Sequence, residues 1–192
     1  CVALSNWNSW GRIEEADKEV LLKIICEKEI AKSLRSKLIL SASGPMPSLF
    51  SQLGRTQILD GQIEEIAKSA IQPSVRAKAY RSLFEGRVVW IEGRKWVWTD
   101  IRYCEGRLKP IVGERKLEIE TPLIDLLKSS SEDRSSIVRR VSAEILIREL
   151  GNLGAKARVF AERFALDSSH AVSERGEFAL KKLDEAGRAN VS

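Results

Sequence analysis

Apolar residues recur along most of the chain at steps of three, four and seven, with Glu and Lys between them. Ile13, Ala16, Val20, Ile24 and Ala31 predict an amphipathic helix over 12–30. Ile30, Leu34, Leu38 and Ile39 predict a second over 29–41, which Ser43-Gly44-Pro45 interrupts. A short piece over 47–53 ends at Gly54. Ile58, Ile63, Ile66, Ala67 and Ala70 then predict a helix over 57–71. Pro73 follows and opens another helix, from Ser74 to Phe84, because proline suits a first turn. Thr121-Pro122 reads as an N-cap and first-turn proline ahead of Leu123, Leu126 and Leu127. Asp133 reads as the cap of a helix reaching about Leu150. Asn152 starts the next, with Val159, Phe160 and Phe164. The last runs from about Ser169 to Ala186, with Gly187 as its stop.

Residues 87–119 break this period. They carry Gly86, Gly93, Gly106, Gly113 and Pro110 in or beside them, and the stretch from Arg87 to Thr99 alternates in the manner of a strand. A two-residue turn at Gly93-Arg94 would set Glu92 against Lys95, Ile91 against Trp96, Trp90 against Val97 and Val89 against Trp98. Val89, Ile91, Trp96 and Trp98 would then share an apolar face. Cross-strand pairs of these kinds each add a few tenths of a kcal/mol or more. A lone hairpin is marginal in water. The expectation is therefore that the tryptophan face docks on the helices, with a third strand near 108–112 or 116–119.

Three of the predicted helices share a spacing. Val75-Arg76, Ala79 and Leu83 step by four; so do Val138-Arg139, Ser142 and Leu146, and again Val172, Gly176 and Leu180. Val138 and Val172 stand 34 residues apart, and Val75 and Val138 stand 63 apart, an excess of 29 that the non-helical segment accounts for. Units that follow a shorter helix and a tight turn bearing Pro or Asp, each burying its face on the next, make a helical-repeat pattern. On Pro73, Val75, Arg76, Ala79 and Leu83, with Asp133, Val138, Arg139 and Leu146, the chain resembles the HEAT-like repeat family over 57–86 and 121–186. The last unit departs from it, with Ser173 in place of the arginine. The resemblance implies a mainly α fold: a right-handed α-solenoid of helical hairpins, one domain over 1–192, with a β-hairpin insertion at 87–119. Cys1 at the start and Met46 as the one methionine suggest a piece of a longer protein.

Length and composition agree with this picture. The 192 residues are 43% hydrophobic and 31% charged, enough for a core without metals or disulfides. No stretch reaches the ~18–20 apolar residues that a membrane span needs, and no membrane contact is expected. Cys1, Cys26 and Cys104 are odd in number and far apart, which fits a reducing compartment such as the cytoplasm.

The net charge of +5 is concentrated. Residues 87–116 hold eight cations and four anions, a net of +4, together with three of the five tryptophans. Cations among aromatics suit an acidic protein surface, where Trp and Arg are frequent anchors. They also suit nucleic acid, where cations meet phosphate and rings stack on bases. Inward-packed tryptophans with merely solvated cations would produce the same composition.

Catalytic patterns are scarce. There is no Walker-type phosphate loop and no nucleophile elbow. One histidine, His170, and scattered cysteines make no typical zinc site, and no cofactor or metal is expected. Cys104 lies among Arg102 and Arg107 without a histidine base nearby in sequence. The sequence therefore points to a non-enzymatic scaffold that holds another protein through its helical surface, its basic insertion, or both. The candidate contacts are Arg87, Trp90, Arg94, Lys95, Trp96, Trp98 and Arg102. Arg76 and Arg139 are either structural or on the groove. The alternative is a nucleic-acid binder, extending to a DNA glycosylase-like enzyme in which Trp90, Trp96, Trp98 and Asp100 supply suitable residue types.

Overall fold

A computed structural model of the chain describes residues 60–189 except Ile101, Ile119, Glu120 and the side chains of Ile91 and Ala189, together with Glu19, Leu22, Lys23, Cys26 and Gln57. The helices expected over 12–30 and 29–41 and the piece over 47–53 lie outside the described residues, those four positions apart.

The described chain is mainly helical, with one small antiparallel sheet. A 3-10 turn, Asp60–Gln62, leads into α1, Ile63–Ser69. Pro73 is the first residue of α2, Pro73–Glu85. Gly86 ends it in the left-handed conformation (φ 61°), which costs a glycine little. Strands β1, Arg87–Asp100, and β2, Glu105–Lys116, follow. Then come α3, Leu123–Ser131, and α4, Ser136–Arg148. The single turn α5, Leu150–Leu153, precedes α6, Ala155–Ala165, and α7, His170–Ala189. Gly154 separates α5 from α6 at φ 54°, ψ −134°, a region open only to glycine. This break corrects the single helix expected from Asn152. Gly187 lies inside α7 and stops nothing.

Helix α1 packs on α2, α2 and α3 pack on α4, α4 on α7, and α6 on α7. Two apolar clusters result. The first gathers Ile63, Ile66, Val75, Tyr80, Leu126 and Val138, and Leu22 and Cys26 pack against it. The second gathers Leu127, Leu146, Ala161, Phe164 and Val172. Neighbouring leucines of α3 thus serve different clusters, and burying one such side chain is worth about 1.5–3 kcal/mol. Ser130 shares a hydrogen bond with Ser142, and Tyr80 shares one with Ser129, so the polar residues of α3 are satisfied by α4 and α2.

The spacing noted in the sequence has a structural counterpart. Val75, Val138 and Val172 are each the third residue of their helix and fully buried. The next residue is Arg76, Arg139 or Ser173. Arg76 donates Nε and Nη2 to the carboxylate of Asp133, at 2.7 and 2.8 Å. Its Nη1 reaches the carbonyls of Ala70 and Ile71. Arg139 repeats this on Asp167, at 2.6 and 2.9 Å, and its Nη1 reaches the carbonyl of Asp133. Each aspartate also accepts the backbone N–H two residues on, from Ser135 or Ser169. Asp133 therefore shapes the turn, while Ser135, whose Oγ accepts from the N–H of Ile137, is the cap of α4.

Candidate interaction surface

The two strands form a ribbon inserted between α2 and α3. Its root is fixed by chemistry: Val88 and Leu117 are buried in the first cluster, and the Leu117 N–H donates to Gly86 at 2.8 Å. Arg115 makes a bidentate pair with Asp60, at 2.6 and 2.7 Å. Beyond the root the ribbon projects.

The expected turn at Gly93-Arg94 is not a turn. Strand β1 runs straight through it, Gly93 lying opposite Ile111 and Arg94 opposite Pro110. The strands connect instead through 101–104, where Cys104 takes φ 53°. Glu92 and Thr99 are bulged out of register, and among the described residues the sheet has two strands. Of the two places expected to hold a third strand, 108–112 is the middle of β2, and 116–119 begins at its last residue, with 117 and 118 in no strand and 119 outside the described residues.

This register sorts the side chains onto two faces. One carries Val89, Arg94, Trp96 and Trp98 from β1, over Gly106, Leu108, Pro110 and Val112 from β2. The other carries Val88, Trp90, Lys95 and Val97, over Arg107, Lys109, Ile111, Gly113 and Arg115. Val89, Trp96 and Trp98 do share a face, because the bulge at Glu92 restores the parity that a turn would have set. That face is not docked on the described helices. Trp96 and Trp98 are 51% and 54% exposed, and Leu108 and Val112 are 56% and 53% exposed. The two indoles meet edge to face, with centroids 5.7 Å apart at 83°, which adds about 0.5–1.5 kcal/mol beyond area burial.

Two glycines of β2 make room for rings. A Cβ on Gly106 would come within 2.4 Å of the Trp96 ring, and one on Gly113 within 2.6 Å of Trp90. Trp90 lies half-buried on the opposite face from the other two, its Nε1 buried without a hydrogen-bond partner among the described residues.

The predicted contacts thus separate. Trp96, Trp98 and Arg94 come together on the apolar face; Trp90 and Lys95 lie on the other. Arg87 is held at the root by Glu85 and Glu114. Arg102 sits at the tip, largely exposed, 3.5 Å from Asp100. Leu108, Pro110 and Val112, read in the sequence only as part of an expected third strand, are missing from the candidate contacts because β2 lacks a clean alternation that would set them on the tryptophan face. Arg76 and Arg139 are not surface groups: both are consumed in ion pairs with the aspartates ahead of α4 and α7. The carboxylate of Asp100 is bound by the Arg102 backbone N–H at 2.9 Å.

The ribbon edges are blunted. Two bulges interrupt β1, and Pro110 removes a donor from β2, features that discourage strand addition. Its faces carry no such guard.

On the helices, Glu144 of α4 collects Arg81 of α2 at 3.0 Å, Arg175 of α7 at 3.2 Å and Arg140 at 3.6 Å, tying three helices together. Among the described residues no His, Cys, Asp and Glu cluster could hold a metal ion, and no helix is long and apolar enough to cross a membrane. No family model, curated protein or solved structure matches the chain.

Proposed function

We propose that the chain is a non-enzymatic interaction module: a right-handed α-solenoid of HEAT-like helical hairpins whose projecting ribbon grips another protein. The repeat reading is supported by the matched pairs Arg76–Asp133 and Arg139–Asp167, which join equivalent positions of successive units. The observation that carries the functional reading is the exposed face of Trp96, Trp98, Leu108 and Val112, with Arg94 beside it. Isolated exposed apolar residues are ordinary, but a contiguous set with two tryptophans and an arginine matches the residue types that dominate binding energy.

The same geometry weighs against nucleic acid. Base stacking needs rings and phosphate-binding cations on one surface. Here Arg94 lies beside Trp96 and Trp98, with Arg87 and Lys116 on the same face only at the root, while Lys95, Arg107 and Lys109 face away. Asp100, the carboxylate a base-excision reading would use, also lies on the face opposite those rings and is bound to Arg102.

The test uses the full chain. A captured protein is purified and its affinity measured for wild type and for Trp96→Ala/Trp98→Ala. A loss of roughly 30-fold or more is expected, the equivalent of about 2 kcal/mol for at least one anchoring residue. An unchanged affinity removes the ribbon face from the account.

A further inference from the structure

The reverse face of the ribbon carries a second, chemically different surface. Lys95 and Lys109 stand directly opposite each other, and Arg107 follows two residues along β2. Among the described residues none of the three has an ion pair. Like charges directly opposite on a sheet repel, a cost that an anion bound between them would remove. Cα atoms two apart on one strand are separated by about 6.8 Å, and carboxylates at alternate positions of an extended peptide have that spacing.

The surroundings limit the ligand. Toward the tip, the same face ends in the facing pair Asp100 and Glu105. Toward the root, the Glu92 carboxylate lies against Gly113 and Asp60 covers Arg115. The cationic band is thus short and bounded by acid at both ends. A longer polyanion running along the ribbon would meet those carboxylates, whereas a segment with two or three acidic residues would fit between them. Trp90, the one ring on this face, is half-buried against Gly113 and offers no stacking platform like that of Trp96 and Trp98.

We infer that Lys95, Arg107 and Lys109 bind a short acidic segment of a partner polypeptide, with carboxylates at alternate residues. This rests on the reading of the ribbon as a protein-binding arm, and it adds the chemistry of the partner: an apolar surface for one face and an acidic strand for the other.

The test is fluorescence anisotropy with the full chain at low salt. The probes are a short labelled peptide bearing glutamates at alternate positions, its glutamine counterpart, and an oligothymidylate of equal charge. The glutamate peptide should bind at least about tenfold more tightly than either of the others, and more weakly as salt rises. Lys95→Gln/Arg107→Gln/Lys109→Gln should lose about tenfold or more without a fall in thermal midpoint, since it relieves repulsion. The charge-reversed variant, Lys95→Glu/Arg107→Glu/Lys109→Glu, should bind the lysine version of the probe. Trp96→Ala/Trp98→Ala should keep its affinity for the acidic probe within about twofold. Equal binding of the glutamine peptide, tighter binding of the oligonucleotide, or loss in the tryptophan variant would each overturn the inference. If the probe fails while the tryptophan variant loses its captured protein, only this inference falls. If the probe binds while that variant keeps its protein, the reading of the apolar face falls.

Discussion

Arg76 and Asp133 stand 57 residues apart in sequence and meet through two parallel hydrogen bonds, with both side chains almost fully buried. The ribbon and α3 intervene, yet the arginine still finds the aspartate in the turn ahead of α4. The two groups are positioned by different turns, so the pair fixes how α2 sits against the start of α4. Arg139 and Asp167 do the same between α4 and α7. Ser173 supplies no guanidinium at the corresponding place in α7. Its Oγ donates instead to the carbonyl of His170.

Arg76→Ala would leave Asp133 buried with its backbone bond to Ser135 and without its cation. Breaking a buried pair from one side costs about 3–5 kcal/mol, and urea denaturation should show a loss of that order. Arg76→Lys should recover little, because an ammonium cannot form the parallel fork or reach the two carbonyls at once. A cost below about 1 kcal/mol for either change would mean that α2 and α4 are held together by apolar packing alone.

Acid should loosen the second pair. The Arg139 guanidinium, chiefly through its hydrogen bonds and with help from the Ser169 N–H, holds the Asp167 carboxyl below its ordinary 3.8. A depressed folded value means that the contribution is complete above the unfolded pKa and is lost as pH falls through the folded one. Asp167→Asn should therefore be less stable than wild type at neutral pH, and the gap should narrow as pH drops below about 3.8. A gap that stays constant down to the lowest pH at which the protein folds would contradict this.

Gly176 lies where the end of α6 crosses α7. A Cβ there would sit 2.1 Å from the Ala165 backbone nitrogen and 2.5 Å from the Phe164 carbonyl carbon. Backbone cannot move aside as a side chain can. Gly176→Ala should cost about 3 kcal/mol or more through overpacking, despite the higher helix propensity of alanine. Gly187→Ala, with open space around it in the same helix, should be neutral or stabilising.

Much of the helical part was legible because its signals are local. Pro73 at a first turn and the valine–arginine step each act within a few residues. The role of Arg76 is only half legible: its place after a buried valine is visible in the sequence, but the aspartate it needs lies 57 residues on. The ribbon was legible as a strand and illegible as a hairpin. Gly93-Arg94 has the residues of a tight turn, yet a longer partner strand, Glu105–Lys116, outcompetes it by pairing along the whole of β1. That partner shows a short apolar run at 108–112, but it is rich in charge and contains two glycines and a proline, so nothing local marks its full length or its pairing with all of β1. The apolar face was named correctly in part only because a bulge at Glu92 preserves parity. Its exposure could not be read, since the same sequence would suit a docked face.

The rings of the ribbon should report their geometry directly. The edge-to-face Trp96–Trp98 pair should give a far-ultraviolet exciton couplet that either Trp96→Phe or Trp98→Phe abolishes. Gly106→Ala should weaken it, because the new methyl group occupies the place of the Trp96 ring. A couplet insensitive to all three changes would place the rings elsewhere.

The central claim is that the exposed tryptophan face binds another protein, and site-specific photo-crosslinking tests it most directly. A benzophenone amino acid would replace Trp98, or, as a control, Val159, an exposed helical residue far from the ribbon in sequence. Irradiation in native extract should give a discrete polypeptide adduct from the Trp98 position and none from Val159. Excess unlabelled wild type should compete the adduct away, whereas excess Trp96→Ala/Trp98→Ala should not. Nuclease-sensitive adducts, or equal competition by the tryptophan variant, would contradict the account.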